Sequence, residues 1–265
     1  MKLSKEDTYE GQCNITMGLG APLLKPFITT WRKYVSDMLS CCSAFVTTSK
    51  SAYDIYNEFY PQLGDEEFDI IEHGRDLKTP DNVDKIIPPL DSEEPIRIVI
   101  PGNISASKGG LFIKAMKKFD VNNKLELHFI CNVNPDYHLE EVGVLHGPYK
   151  RSEFCRLVYE INPHLIGIFS IWPETYCHTL SESWSCGVPV VSMDIGALGE
   201  RIHANGGGFL ISNNPEEAYH QIINIFDDYD NYLKVAREIQ EIQFKSTEQM
   251  ADEYLDIYRR HLIRK

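Results

Sequence analysis

From Ile96 onward, short runs of apolar and mostly branched residues alternate with amphipathic stretches of helical length. This alternation is typical of repeated strand–helix units. The predicted strands are Ile96–Pro101, Leu125–Cys131, Val142–His146, Leu165–Ser170, Pro189–Met193 and Gly208–Ile211. The predicted helices are Lys108–Phe119, Ser152–Ile161, Cys177–Cys186, Leu198–His203 and Pro215–Asp227. The pattern therefore predicts an α/β fold, with one doubly wound parallel sheet and helices on both faces.

The segments on either side of this region are predicted to be mainly helical. Apolar residues at spacings of three and four predict helices over Ala236–Phe244 and Thr247–His261. Before Ile96, the predicted order is helix, strand, helix and strand, over Lys25–Leu39, Ala44–Thr48, Ala52–Tyr60 and Phe68–Glu72. The proline-rich stretch Thr79–Pro95 is predicted to be a linker, and residues 1–24 a flexible arm.

Composition and charge narrow the class of protein. With 43% hydrophobic and 25% charged residues, the chain can bury a core and is not a disordered polymer. The 26 basic residues against 39 acidic ones give a net charge of −13, which disfavours nonspecific attraction to nucleic acid or to anionic membranes. Any basic patch must therefore be local. The sequence has no apolar run of membrane-spanning length and no signal-peptide pattern near its start, so we expect a cytoplasmic protein.

The cysteines and histidines predict neither a disulfide framework nor a metal site. The number of cysteines is odd, and no C-x-x-C or H-E-x-x-H spacing is present. The neighbours Cys177 and His178 lack an identifiable third group, so the sequence does not favour a cysteine nucleophile. The seven cysteines are Cys13, Cys41, Cys42, Cys131, Cys155, Cys177 and Cys186.

Two glutamates at a predicted strand-to-helix junction form the most informative motif. Glu174 and Glu182 are eight positions apart, which in a helix separates their backbones by roughly 12 Å. Two carboxylates acting on one glycosidic bond need about 5 to 9.5 Å, so this spacing suits a long ligand held at two ends. A phosphate between the two carboxylates would meet the free N–H groups and the positive dipole end of the helix.

The turn after the first predicted strand is a second candidate anion site. Gly102 and Asn103 follow Pro101, and Lys108 stands at the mouth of the next helix. Glycine permits close approach of the backbone to an anion, and lysine supplies a compact positive charge. The chain has neither a Walker loop nor a G-x-G-x-x-G after a strand. Taken alone, this turn favours an ordinary structural turn between a strand and a helix over a phosphate site.

Taken in order, these motifs resemble glycosyltransferase family four, the "glycosyl transferases group 1" enzymes. The stretch from Glu174 to Glu182 resembles the family's E-x-[FY]-G-x-x-x-x-E signature, and Gly187–Val191 its G-x-P-V-V. The turn Asp194–Glu200 resembles the G-G-x-x-E turn, and Lys108 with the following glycine matches a K-G pair. Ile71–Asp76 is similar to the family's I-x-N-G-V-D link between domains. The resemblance covers roughly residues 25–261.

This resemblance implies a GT-B enzyme with two Rossmann-like domains, which transfers a sugar from a nucleotide donor with retention and without an essential metal. It implies that Glu182 binds the donor ribose and that Glu174 contacts hydroxyls of the transferred sugar. It also implies that Lys108 neutralises the diphosphate leaving group, so that Glu174 and Lys108 are the expected catalytic residues. The other expected donor-binding residues are Gly102, Asn103, Tyr149, Tyr176, Cys177, His178 and Thr179.

The sequence also departs from the family pattern. Asn103 stands where the family commonly has an arginine, Cys177 replaces a glycine, and Ala197 replaces the second glycine of the turn. The resemblance further implies that most of the N-terminal GT-B domain is missing. The expected division is a flexible arm (1–24), a remnant of the N-terminal domain with the linker (25–95), a donor-binding domain (96–245) and a cross-over helix (246–265).

Three functional hypotheses remain open at this stage. The first is a hexosyltransferase donor domain in polysaccharide or glycoconjugate synthesis, which acts with a separate acceptor half. The second is a non-catalytic module that binds nucleotide sugars, and the third is another GT-B activity such as an epimerase or a phosphorylase, for which no motif is found. The expected partners are a nucleotide sugar, a glycan or lipid-linked acceptor, and either an N-terminal half or a second copy. No further cofactor is expected.

Overall fold

The front part of the protein is a small unit of alternating helices and strands. The structure is a computed structural model that describes residues 28–63, 68–89 and 94–262, so the predicted arm at 1–24 lies outside the described residues. The front unit contains α1 (Ile28–Leu39), β1 (Phe45–Thr47), α2 (Lys50–Phe59) and β2 (Phe68–Ile70). The two strands pair in parallel, and the predicted order of elements is confirmed. Helix α2 begins earlier than predicted because the Ser49 side chain accepts a hydrogen bond from the N–H of Ala52 and caps it.

A parallel sheet and its helices form the main body. The strands are β3 (Ile96–Ile104), β4 (Leu125–Val133), β5 (Val144–Leu145), β6 (Leu165–Ile168), β7 (Val190–Met193) and β8 (Gly208–Ile211). The helices between and after these strands are α3 (Gly110–Lys117), α4 (Phe154–Ile161), α5 (His178–Ser185), α6 (Gly196–Asn205), α7 (Pro215–Asn224) and α8 (Tyr229–Glu238). The strand order is β5-β4-β3-β6-β7-β8, with every pairing parallel.

The strand order creates a switch point between β3 and β6. The chain runs from β3 through β4 to β5 toward one side of the sheet, and from β6 through β7 to β8 toward the other. Because the crossovers are right-handed, α3 and α5 lie on opposite faces of the sheet. Helix α3 packs against α7, and α4 packs against α5. Every residue of β6 and β7 is buried, as expected for strands covered on both faces. The crevice at the carboxyl ends of β3 and β6 is therefore the expected ligand-binding position.

The predicted helix Ala236–Phe244 is wrong. Helix α8 ends at Glu238 and one 3-10 turn follows, after which residues 242–246 lie outside any helix. Asp228 fixes the start of α8 by accepting a hydrogen bond from the N–H of Asn231. Beyond the turn, Ile242 is buried, and the carbonyl of Lys245 accepts a hydrogen bond from the N–H of Arg75. The segment therefore leaves the helical path because it packs beside the link that contains Arg75.

The last described helix, α9 (Thr247–Leu262), returns to the front unit. Asp76 caps its start by accepting a hydrogen bond from the N–H of Thr247 at 2.9 Å. Near its other end, the Arg260 Nη2 atom lies 2.7 Å from the Asp69 carboxylate, one residue into β2. Within the described ranges, no helix combines the length and the apolar character needed to cross a membrane.

Two of the seven cysteines form a disulfide, which the sequence did not predict. Cys155 on α4 is bonded to Cys186 at the end of α5, with their Cα atoms 5.2 Å apart. The pairing joins residues 31 positions apart, and it depends on the packing of α4 against α5. The expectation that the cysteines carry no disulfide is therefore corrected for this pair.

A buried histidine directly before β6 predicts a loss of stability in acid. His164 is 2% exposed, its Nδ1 atom accepts a hydrogen bond from the N–H of Arg97, and burial lowers its pKa to about 4. In the unfolded chain His164 becomes protonated below pH 6.5, whereas in the folded chain it stays neutral down to about pH 4. The unfolded state therefore binds more protons in this range, and acidification favours it. We expect His164 to contribute a loss of about 3 kcal/mol in unfolding free energy between these values.

Urea denaturation at several pH values tests this expectation. The His164→Asn variant, which keeps a side-chain acceptor, should lose less stability than the parent protein on acidification. Equal slopes for both proteins would contradict the assignment.

Candidate functional site

The loops that follow β3, β5 and β6 meet at one edge of the sheet. Because the strands are parallel, their carboxyl ends share that edge, and β3 lies beside β6. The predicted residues Lys108, Tyr149, Glu174 and Glu182 all lie in these loops or in the first turns of α5. The crevice therefore gathers residues from three separate parts of the chain.

The two expected catalytic residues form an ion pair at this edge. The Lys108 Nζ atom lies 2.6 Å from Glu174 Oε1, with the lysine side chain 40% exposed and the glutamate 15%. The carbonyl of Glu174 accepts a hydrogen bond from the N–H of Ala197 at 2.9 Å, which fastens its loop to the start of α6. Gly109, at φ +78°, packs directly on the carbonyl of Phe169 and fixes the lysine loop. Both side chains are thus held by rigid backbone.

Glu182 lies in the second turn of α5 and binds three side chains. Its Oε1 atom accepts hydrogen bonds from Arg75 Nη2 at 2.7 Å and from Arg151 Nε at 2.9 Å. Its Oε2 atom accepts one from the Tyr149 hydroxyl at 3.3 Å. Burial, followed by the nearby Glu182 carboxylate, raises the pKa of Tyr149, so this hydroxyl remains a donor at neutral pH. The Tyr149 ring packs on Phe154.

Sequence reasoning missed Arg75 and Arg151 as site residues. Arg75 stands in the segment that resembles the family link, at the position where the family pattern has valine. A charged residue at this normally apolar position was the sequence signal that could have identified it. Arg151 directly follows the loop that carries Tyr149, but nothing in its local sequence distinguishes it from a surface arginine.

The start of α5 is built by a strained turn. Cys177 has φ +69°, a left-handed conformation that is uncommon for a residue with a side chain. Burial raises the pKa of its thiol to about 12, and Glu174 adds to the shift, so the thiol stays protonated at neutral pH. This state does not suit a nucleophile. The Arg201 Nη1 atom donates hydrogen bonds to the carbonyls of Tyr176 and Cys177, each at 3.1 Å, and secures the turn.

Two histidines and a tyrosine pack beside this turn. The ring centroids of His73 and His178 are 4.8 Å apart, and those of His73 and Tyr176 are 4.9 Å apart. The Tyr176 hydroxyl donates to the carbonyl of His73 at 3.1 Å, which joins the link to the start of α5. The pKa values of both histidines are lowered, first by burial and then by the neighbouring Arg75.

Gly102 and Asn103 lie in the final residues of β3 rather than in a loop, because β3 pairs with β4 as far as Ile104. Asn103 is exposed, and its side-chain oxygen accepts a hydrogen bond from Asn132 Nδ2 at 3.0 Å. Beside Gly102 the space is open, since a Cβ there would meet only the Thr179 hydroxyl, 3.9 Å away. Gly102 and Thr179 thus face each other across the crevice floor.

The site has a local excess of positive charge. The cations Lys108, Arg75, Arg151 and Arg201 lie near three carboxylates, those of Glu174, Glu182 and Glu72, in a chain whose net charge is −13. The first turn of α5 adds the positive end of a helix dipole. Among the described residues, no group of three or more His, Cys, Asp or Glu side chains is placed to hold a metal ion. The arrangement suits an anionic ligand.

Comparison with known proteins gives a family and a set of similar folds. The model of the family described as Glycosyl transferases group 1 matches residues 82–242, more than half of the chain. The fold is similar to that of Anabaena HepE in complex with UDP and glucose, with a TM-score of 0.65 and 18% identity over 88% of this chain and 67% of that one. No curated protein matches the sequence.

Two further solved structures have similar folds. A glycosyltransferase from Rickettsia africae gives a TM-score of 0.64 and 21% identity over 88% of this chain and 67% of that one. The catalytic domain of starch synthase IV from Arabidopsis thaliana, bound to ADP and acarbose, gives a TM-score of 0.62 and 14% identity. That match covers 85% of this chain and 57% of that one. The chain thus spans about two thirds or less of each. These likenesses confirm the predicted α/β fold of the GT-B type.

Proposed function

Given that the chain belongs to the glycosyl transferases group 1 family, we propose that the crevice binds the nucleoside diphosphate of a nucleotide-sugar donor. More narrowly, we propose the C-terminal, donor-binding half of a family-four GT-B hexosyltransferase that retains the anomeric configuration and needs no metal. Solved structures with the same fold support a nucleoside diphosphate ligand, since HepE is in complex with UDP and starch synthase IV is bound to ADP.

One observation carries this proposal, namely the convergence of positive charge in an otherwise acidic chain. Lys108, Arg75 and Arg151 come from three different segments, and the start of α5 lies among them. Glu174 and Glu182 offset two of these three charges, so one positive charge and the start of α5 remain for an anion to offset. A diphosphate would supply that negative charge, and we assign its binding to the N–H groups of Cys177, His178 and Thr179 at the start of α5.

In the proposed reaction, the sugar–phosphate bond breaks and negative charge grows on the leaving diphosphate. Lys108 and the start of α5 stabilise that charge electrostatically, without transferring a proton. Lys108 is paired with Glu174 by charge, and the three N–H donors of its ammonium group remain available for phosphate oxygens. Glu174, fixed by this ion pair, accepts hydrogen bonds from hydroxyls of the sugar.

The remaining donor contacts are assigned to the inner part of the crevice. Glu182 is proposed to bind the ribose hydroxyls, with Tyr149 holding its second oxygen in place. Gly102 leaves open space at the floor, which allows the nucleotide to approach the end of β3. Asn103 and Tyr176 are proposed as peripheral contacts, because their polar atoms already bind Asn132 and the carbonyl of His73.

The acceptor is proposed to bind on a second half, as a glycan or a lipid-linked sugar in cytoplasmic polysaccharide or glycoconjugate synthesis. The crevice is open to solvent at Lys108, whose side chain is 40% exposed. The chain also spans only about two thirds of HepE. We propose that another GT-B half, or a second copy of this chain, closes the crevice.

A non-catalytic nucleotide-sugar-binding module is the second candidate. It is favoured by the open crevice, since the described residues would contact both ends of a donor without enclosing it. The two candidates differ in turnover. Sugar transfer or donor hydrolysis after an acceptor half is supplied would favour the enzyme, and tight donor binding without turnover would favour the module.

Calorimetric titration with UDP, GDP and ADP, each with and without EDTA, tests donor binding. We expect one nucleotide to bind equally well with EDTA, and Lys108→Met to weaken that binding about 10- to 100-fold through loss of a charge-assisted hydrogen bond. Lys114→Met is the matched control, because Lys114 pairs with Glu141 at 2.7 Å on the outer side of α3. The proposal fails if none of the nucleotides binds, or if both lysine variants bind like the parent.

A further inference from the structure

Arg75 is buried in the link between the front unit and the main sheet, with part of its guanidinium group unused. Its side chain is only 4% exposed. Its Nη2 atom donates to Glu182, while its Nε and Nη1 atoms have no hydrogen-bond partner among the described residues. A guanidinium has five N–H donors, and buried donors in native proteins are nearly always paired. Two donor atoms of one buried arginine therefore lack an acceptor from the described residues, which a bound anion could supply.

The backbone around Arg75 holds the guanidinium in a fixed position. The N–H of Arg75 donates to the carbonyl of Lys245 at 2.8 Å. Gly74 lies so close to Ser246 that a Cβ there would come within 2.3 Å of the Ser246 carbonyl oxygen. On the following side, Asp76 accepts the N–H of Thr247. Such a clamped segment positions its side chain before any ligand arrives, which lowers the entropy cost of binding.

The Arg75 side chain lies near the first two turns of α5, where Nη2 binds Glu182. After burial, the Arg75 charge is the next cause that lowers the pKa of His178, the first residue of α5. His73, in the same link as Arg75, packs on the His178 ring. Helix α5 has eight residues, and its first N–H groups have no partner within the helix. An anion at the start of α5 would thus meet backbone N–H groups on one side and the Arg75 guanidinium on the other.

We infer that Arg75 is a donor-binding residue that contacts a phosphate oxygen of the nucleoside diphosphate through Nη1, while Nη2 orients Glu182. The inference rests on the proposed function and adds a second cation to the diphosphate site. Lys108 would approach the diphosphate from the loop after β3, and Arg75 from the link. A single arginine would then couple the phosphate contact to the position of the carboxylate assigned to the ribose.

A purely structural role for Arg75 makes a different prediction. If Arg75 only orients Glu182, its loss should weaken the binding of a nucleoside and of its diphosphate by the same factor, because both present the same ribose to Glu182. If Arg75 binds phosphate, its loss should weaken the diphosphate much more than the nucleoside. The ratio of the two affinities therefore separates the two roles.

The test is titration of the full chain and of Arg75→Gln with the preferred nucleoside diphosphate and with its parent nucleoside. We expect the diphosphate to bind about 10- to 100-fold more weakly to the variant, and the nucleoside to change by less than about threefold. Arg156→Gln is the control, because Arg156 pairs with Glu160 on the exposed face of α4. Equal losses for both ligands, or no loss for either, would overturn the inference.

A measurement on the parent protein guards against misfolding of the variant. In ¹⁵N-labelled protein, the Arg75 Nε–H signal should shift on addition of the diphosphate and much less on addition of the nucleoside. A shift of equal size with both ligands would overturn the phosphate contact. If the parent protein binds no nucleoside diphosphate, the proposed function fails as well. If the parent binds and the Arg75 readouts do not change, only this inference fails.

Discussion

Replacing Gly109 with alanine is expected to lower the free energy of unfolding by about 4 kcal/mol. Gly109 has φ +78°, and holding a residue with a Cβ in such a conformation costs about 1 to 3 kcal/mol. The new Cβ would also lie 2.0 Å from the carbonyl oxygen of Phe169, a backbone atom that cannot rotate away. Relieving such an overlap by moving the backbone costs about 1 to 3 kcal/mol more. Urea denaturation followed by circular dichroism measures the change.

Gly147→Ala is the matched control for this prediction. Gly147 has a similar φ of +81°, but no atom lies within 4 Å of the Cβ that alanine would add. Its cost should therefore be only the conformational one, about 1 to 2 kcal/mol. Equal losses of stability in the two variants would show that the contact between Gly109 and Phe169 does not constrain the lysine loop.

Glu182→Ala is expected to destabilise the protein by about 3 to 5 kcal/mol, because it leaves the buried Arg75 cation without its anionic partner. The two side chains are 10% and 4% exposed, so water cannot easily replace the carboxylate. The Arg151 side chain is 63% exposed and can turn into solvent, so the loss of its ion pair should add little to the destabilisation. Thermal and chemical denaturation in the absence of nucleotide measure this effect separately from binding.

The double variant Arg75→Met/Glu182→Met is the control for the ion pair. Replacing both partners of a buried pair with apolar side chains of similar volume is often neutral for stability, so most of the loss should be recovered. If the double variant is as unstable as Glu182→Ala, the loss comes from packing around α5 and not from an unpaired cation. Neither result depends on whether the chain binds a nucleotide.

Glu182→Gln keeps the shape of the side chain and tests its place in the donor site. We expect nucleoside diphosphate binding to weaken by about 1 to 3 kcal/mol, the scale of a buried polar contact that is lost or left unpaired. Binding as tight as that of the parent protein would show that Glu182 does not contact the ribose and serves only to hold Arg75.

The sequence predicted the main body well because its signals are local. Fully buried parallel strands appear as apolar runs, and β6, β7 and β8 occur within two residues of their predicted limits. The motif order also located Lys108, Glu174 and Glu182 at one edge of one sheet. A crevice at that edge follows from strand order alone.

The errors arose where distant segments decide the local structure. The predicted helix Ala236–Phe244 ends early because residues 242–246 pack beside the link at Arg75, although their apolar spacing is compatible with a helix. The predicted loop at Gly102 is a strand end because β4 continues alongside it. The bond between Cys155 and Cys186 needs two helices to lie together before it can form.

The sequence by itself determined the alternation of strands and helices, the family resemblance, and the positions of Lys108, Glu174 and Glu182 along the chain. These features depend on periodicity and spacing within a few dozen residues, which a linear pattern records directly. Only the tertiary structure decided that Arg75 binds Glu182, which lies 107 residues later in the sequence. It also decided that the positive charges converge near the start of α5. Such contacts depend on how separate segments pack, and no local pattern records that information.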